Sequence, residues 1–229
     1  MTYAAEPVEL MIRGARRGPL AEGYEPITVE TDRGGIDLRL YEVPEARVAA
    51  VFVGDAGGGW DSPGRGRLFP DLCKDFQDMG VASLRVRYRR PNDLIECSLD
   101  LLTGLHFVAR EGVEIAALVG HSFGGAVAAQ VAANAEGVRT VALLSTQSHG
   151  IEAIAQISQG CSALFVHGTA DEVLPVSCSE YAYDLAPEPK RLSLYEGAHH
   201  GLDEVGMRLR REVRDWVAGE LGVRPQPYG

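Results

Sequence analysis

Apolar residues in this chain gather in short dense runs, separated by stretches in which they recur every third or fourth position. Near the start, Glu9–Arg13, Ile27–Thr31 and Ile36–Val43 are bounded by turn residues and predict antiparallel strands. From Val48 onward strand-type runs alternate with helical ones. The strands are Val48–Val53, Val81–Tyr88, Ile115–Val119, Thr140–Leu144, Ala163–His167 and Arg191–Tyr195, each short and rich in Val, Leu, Ile or Ala. Between them the pattern predicts helices over Leu68–Met79, Asp93–Arg110, Phe123–Ala135, a short one over Ile151–Ile157, Ser177–Leu185, and a last from Asp203 to Leu221. In that last helix Val205, Leu209, Val213, Trp216 and Val217 form one apolar stripe opposite Arg, Glu and Asp, the signature of a helix packed on a core. Such alternation implies an α/β fold: a mostly parallel sheet with helices on both faces.

Composition narrows the reading. With 229 residues and 45% hydrophobic content the chain can bury one sizeable core, so one domain over residues 1–229 is expected, with no repeat and no long linker. A net charge of −10 makes nucleic acid a poor partner, because phosphate backbones are gripped by clustered Lys and Arg. The opening MTYAAEPVELMIRG lacks a basic segment followed by an apolar run, and no stretch is apolar for long enough to span a bilayer, so a cytoplasmic protein without membrane attachment is expected. Cys73, Cys97, Cys161 and Cys178 are scattered, with no CxxC pair and no histidine at ligand spacing. They read as buried thiols, with no metal site and no cofactor signalled.

In a sheet of this kind ligands bind where strands end. The strand Ile115–Val119 runs into Gly120-His121-Ser122-Phe123-Gly124-Gly125 and then into the Ala-rich run 126–133, which is G-x-S-x-G between a strand and a helix. A sharp turn there presents the serine at the top of the sheet, and the flanking glycines avoid collision with neighbouring backbone. The helix start beneath it offers free N–H groups to an anion. GHSFGG in this context resembles the nucleophile elbow of the α/β-hydrolase family, and the likeness extends from about Ile27 to Leu221.

A serine hydroxyl needs a base, and the base needs a third group to fix its tautomer. The resemblance implies the order Ser, acid, His. The run from Ala163 to Pro175 ends in His167-Gly-Thr-Ala-Asp171-Glu172-Val-Leu-Pro175, similar to the family's HGTxDxxVP-like segment, which places the acid at Asp171, with Glu172 its nearest rival. After the last strand stand two adjacent histidines, His199 and His200. The family pattern Gly-Ala-x-His-Gly puts the base at His200 and leaves His199 at the rim. His121 and His167 lie close enough in sequence to border the site without being the base.

Acyl transfer builds charge on the former carbonyl oxygen, which two backbone N–H groups should receive. One is Phe123, next after Ser122. By the family's register the other is Ala56, in Gly54-Asp55-Ala56-Gly57-Gly58-Gly59-Trp60. Here the chain departs from the family, which has His-Gly-x: Asp55 either brings a charge toward the oxyanion or turns away to brace its loop. The glycine run is not followed by Lys-Ser/Thr, so it is not a P-loop.

The segment after Thr140–Leu144, where family members with large buried pockets carry a lid, has no room for a lid domain, so the resemblance is to small lidless members such as the dienelactone hydrolases. Those use cysteine where this chain has Ser122. Trp60 and residues 145–149 follow strands at the same edge and are expected at the pocket wall. Arg89 and Arg90 leave the end of a strand and either hold a substrate carboxylate or pair with the acidic surplus. The combined expectation is a serine hydrolase of small carboxylic esters with Ser122, His200 and Asp171 as triad, Ala56 and Phe123 as oxyanion donors, and Trp60, Arg89, Arg90 and His199 near the substrate. A thioester, amide or peptide would suit the same groups. The rival is a catalytically weak binding protein of the same fold, motivated by Asp55. A monomer or a homodimer is compatible with either.

Overall fold

The computed structural model describes residues 9–224; residues 1–8 and 225–229 of the expected 1–229 unit, and the first eight positions of the N-terminal segment, lie outside them. Among the described residues nine strands form one sheet: β1 Ile12–Arg17, β2 Glu25–Thr31, β3 Gly34–Tyr41, β4 Val48–Val53, β5 Ala82–Val86, β6 Ile115–His121, β7 Val138–Leu144, β8 Ser162–Gly168 and β9 Lys190–Tyr195. Their spatial order is β1-β2-β3-β5-β4-β6-β7-β8-β9. β1, β2, β3 and β5 pair antiparallel, and from β5 through β4 to β9 every pairing is parallel. The chain therefore moves outward from β4 to β5 and then crosses back to β6. The crevice beside β4, between the loops that follow β4 and β6, is where an open α/β sheet binds its ligand.

Five α-helices cover the sheet: α1 Leu68–Asp78, α2 Leu94–Arg110, α3 Phe123–Asn134, α4 Ser177–Leu185 and α5 Gly206–Glu220. α1 and α5 close one face over Phe52, Phe69, Phe76, Leu164 and Val213. α2, α3 and α4 close the other, over Val51, Leu84, Leu118, Val127 and Phe165. α3 is Ala-rich and buried on nearly every side, because it is enclosed by the sheet, α2 and the 3-10 turn Ile151–Gln156. Asp93 caps α2, its side chain accepting the Glu96 N–H at 3.1 Å.

The first strand begins at Ile12, later than the expected Glu9. Of its residues only Ile12 is even half-buried, so hydropathy carries no edge signal there and pairing with β2 sets its limits. The expected last helix divides into a 3-10 turn, Asp203–Val205, and α5, where Leu209, Val213 and Val217 are buried as the stripe predicts. Only the short segment 145–161 separates β7 from β8, and no cap domain stands over the sheet among the described residues. All four cysteines are free and buried, and no helix of the described residues is long and apolar enough to cross a membrane.

Candidate active site

β6 lies between β4 and β7, and the turn at its end carries Ser122 with φ 57° and ψ −120°. This conformation costs on the order of 1–3 kcal/mol for a residue with a side chain and persists only where neighbours enforce it. They do: the Ser122 N–H donates to Leu144 O at 2.8 Å, and Ser122 O accepts from the Gly125 N–H at 3.0 Å. Gly124 allows the first turn of α3 to lie against β4, for a Cβ there would stand 2.2 Å from the Gly54 carbonyl oxygen.

The His200 ring bridges Ser122 and Asp171. Its Nε2 is 3.1 Å from Ser122 Oγ and its Nδ1 2.7 Å from Asp171 Oδ2. An ionised carboxylate only accepts, so Nδ1 carries the proton and the Nε2 lone pair faces the serine hydroxyl, the tautomer a general base needs. The Asp171 side chain is fully buried. Burial raises its pKa, but the Leu174 N–H, the His200 ring and the Val173 N–H outweigh it, and the carboxyl is held below its usual range. The Val173 N–H donates to Oδ1 at 2.8 Å and the Leu174 N–H at 2.9 Å.

Two further histidines build this arrangement. His167 ends β8, fully buried, with Nε2 3.0 Å from Leu174 O and Nδ1 2.7 Å from Ser179 Oγ. The Leu174 carbonyl can only accept, so the proton lies on Nε2 and Ser179 donates to Nδ1. The ring thereby closes the turn that wraps Asp171, with Nε2 3.1 Å from Asp171 Oδ2. His121 donates from Nε2 to the His200 carbonyl at 3.1 Å. Burial lowers its pKa to about 4, so it stays neutral. Chain position placed both near the site, but their hydrogen bonds reach across the fold and leave no local signature. Ser179, on α4, carries no sequence signal at all.

His199 lies outside the bridge. Its exposed ring pairs with Glu172 at 2.8 Å, which raises its pKa, and its N–H donates to Glu204 at 3.1 Å. Adjacent residues thus form two separate pairs, His200 with Asp171 and His199 with Glu172. The loop beyond is tied to the one following β4, through Gly64 N–H to Gly201 O at 2.7 Å and Arg65 N–H to Asp203 Oδ1 at 2.6 Å.

Between β4 and α1, Asp55 turns into its own loop: Oδ1 accepts the Gly57 N–H at 2.8 Å, and Asp55 O accepts the Gly58 N–H at 3.2 Å. Gly58 has φ 70°, and a Cβ there would lie 2.2 Å from Pro91 Cγ, so the glycine run serves a tight, packed turn. Among the described residues the Ala56 and Phe123 N–H groups have no backbone partner; Phe123 opens α3, where N–H groups are unclaimed by the helix. Asp55→Ala is expected to loosen the loop by about 1 kcal/mol and lower kcat several-fold, while Asp55→Asn, which keeps the acceptor and removes the charge, should match wild type. Higher turnover in Asp55→Ala than in wild type would mean instead that the charge opposes the reaction.

The arginine expectation divides. Arg89 is not available to a substrate: its buried guanidinium pairs with Asp100, donates to Glu96 at 3.0 Å and to Arg33 O at 3.0 Å, and its N–H donates to Asp100 at 2.8 Å. Arg89 leaves β5, and its partners come from α2 and the β2–β3 turn, a convergence that is not local in sequence. Arg89→Gln should destabilise the fold by about 2–4 kcal/mol, read as a fall in denaturation midpoint. Arg90 is exposed, 3.6 Å from Glu96. Trp60 turns its ring onto the sheet arginines, 4.2 Å from Arg39 and 5.7 Å from Arg85, whose guanidinium also donates to the Trp60 carbonyl. No group of three or more His, Cys, Asp or Glu side chains among the described residues is arranged to hold a metal.

The sheet order, the crossover at β4 and the strand-to-helix turn at Ser122 together define the α/β-hydrolase fold, and this chain has it. The solved structures it is similar to include Est1E from Butyrivibrio proteoclasticus, with TM-score 0.70 and 15% identity over 91% of this chain and 99% of that one. An alpha-beta serine hydrolase homologue from Coxiella burnetii gives TM-score 0.70 and 18% identity over 87% and 100%. XC6422 from Xanthomonas campestris, described as an a/b serine hydrolase without lid, gives 0.66 and 16% over 92% and 100%. No family model and no curated protein matches the sequence.

Proposed function

We propose that this protein is a serine hydrolase that cleaves small carboxylic esters through an acyl-enzyme. The observation that carries the reading is the hydrogen-bonded series Ser122 Oγ, His200 and Asp171, at 3.1 and 2.7 Å. Ser122 Oγ attacks the ester carbonyl carbon as its proton passes to His200 Nε2. The imidazolium is stabilised by Asp171 and then protonates the departing alkoxide. Water, deprotonated by the same nitrogen, attacks the acyl-enzyme carbonyl, and the bond to Ser122 Oγ breaks as His200 returns the proton to that oxygen, releasing the acid. The Ala56 and Phe123 amides serve as oxyanion donors. Names of the neighbouring structures, esterases among them and one with ferulic acid bound, favour esters over amides and make esters of aromatic carboxylic acids a first screening set.

The absence of a cap domain among the described residues supports acyl groups that are small or protrude into solvent. His199 and Arg90, both exposed, are the candidates for contact with the far end of such a substrate. The binding-protein alternative rested on Asp55, and the bond from that carboxylate to its own loop weakens it. Labelling by a fluorophosphonate and turnover of p-nitrophenyl acetate and butyrate, compared across wild type, Ser122→Ala, His200→Ala and His199→Ala, test the reading. A wild type that neither labels nor turns over would reject it in favour of ligand binding.

A further inference from the structure

α2 has two apolar faces. The inner one, with Cys97, Leu101, Leu105 and Val108, is buried against the sheet and α3. The outer one carries Ile95, 58% exposed, then Leu99, Leu102, 43% exposed, His106 and Ala109. Successive spacings along it are four, three, four and three residues. A single exposed leucine needs no explanation, but a seam with the period of a two-helix contact, apolar at every position except His106, does. Hollows flank it: one of about 380 Å³ between α2 and α3, lined by Leu94, Leu99, Leu102 and Val131, and one of about 860 Å³ toward Leu10 and Met11.

We propose that this face is a homodimer interface, on which a second copy of the chain lays its own α2 antiparallel across a two-fold axis at Leu102. The seam period matches a helix as occupant, and the charges select the orientation. Asp93 stands at the start of α2 and Arg110 at its end, with no ionised carboxylate, Lys or Arg in the seam between them. An antiparallel pairing brings Asp93 of each copy to Arg110 of the other and opposes the two helix dipoles, whereas a parallel pairing sets like against like. The seam is also symmetric about its centre. Leu102 meets itself, Leu99 meets His106, and bulky Ile95 meets small Ala109, as a closed isologous contact requires.

A helix of this length is about 25 Å long, and with its flanks offers a patch on the order of 500 Å² per copy, near the lower limit for a specific interface. A dimer dissociating in the micromolar range is therefore expected. With a net charge of −10 on each chain, its association should strengthen with added salt.

Sedimentation velocity from about 1 to 200 µM protein spans that range and should show wild type passing from monomer to dimer, with Leu102→Glu monomeric throughout. Because Leu102 is exposed, that variant should keep the wild-type circular dichroism and denaturation midpoint. Leu102→Cys gives an independent readout. All four native cysteines are buried, so mild oxidation should link two chains through position 102, while Leu194→Cys, exposed on β9, should remain unlinked. A wild type that stays monomeric across the range overturns the proposal, including the case in which removal of residues 1–8 then permits dimerisation. So does a dimer that Leu102→Glu leaves intact.

Discussion

Ser122→Ala should lower kcat/KM for p-nitrophenyl butyrate by on the order of 10⁴-fold or more and abolish fluorophosphonate labelling. His200→Ala should fall by a similar factor, and the double variant should be little worse than either single one, because nucleophile and base act as a unit. His199→Ala should retain activity within a few-fold of wild type: its ring pairs with Glu172 at the surface, and the Ser122–His200–Asp171 series does not include it. Ser122 and His200 have conformations supported from several strands, so both alanine variants should fold. Circular dichroism and denaturation midpoints like those of wild type would assign the loss to chemistry. Full activity in Ser122→Ala would refute the assignment of the nucleophile.

Gly124→Ala should be among the most damaging small substitutions at the described residues, with Gly120→Ala and Gly168→Ala, whose added methyls would also meet backbone. The added methyl would lie 2.2 Å from Gly54 O and 2.8 Å from Val53 O, both backbone atoms that no rotamer change can move. Relief requires α3 and the loop after β4 to separate, at a cost of roughly 3–5 kcal/mol, above the usual range for overpacking a core because the clash is with backbone. For a chain of this size that corresponds to a fall in melting temperature of about 6–20 °C. The loop holds Ala56 and the helix start holds Phe123, so separation would also spread the proposed oxyanion donors, with a further loss in kcat on the order of 10²-fold. A contrasting variant is Gly160→Ala, where nothing lies within 4 Å of the new methyl; it should be close to neutral in both measurements. If Gly124→Ala kept wild-type stability and kcat, the close approach of β4 and α3 would not be what holds these two segments in place.

These expectations divide by the range of the interactions behind them. The alternation of runs located β4 to within its observed limits and α4 likewise, because a buried strand or helix must present apolar groups with the period of its own backbone. Ser122 was legible because the turn from strand to helix is a local event, imposed by glycines adjacent in sequence. Where the inward face is nearly empty, as in β1, the pattern falls silent, and cross-strand pairing with β2 sets the boundary instead.

The arginines and the histidines show the other limit. Arg89 reads in the sequence as a substrate clamp or an ion-pair partner, since the chain does not state that Glu96 and Asp100, in the first and second turns of α2, will fold back beneath it. His121 and His167 look like residues of a turn and a strand end, and their partners, the His200 carbonyl and Ser179, come from other segments.

What the sequence determined by itself was the order of elements, the two-sided burial of the sheet and the turn at Ser122, because periodicity and backbone sterics act between near neighbours. The tertiary structure alone decided that Arg89 is spent on a buried ion pair, that Asp55 turns into its own loop, and that His199 pairs with Glu172. Charges and hydrogen-bond donors choose partners by distance and direction in space, and those are set only once the strands have packed.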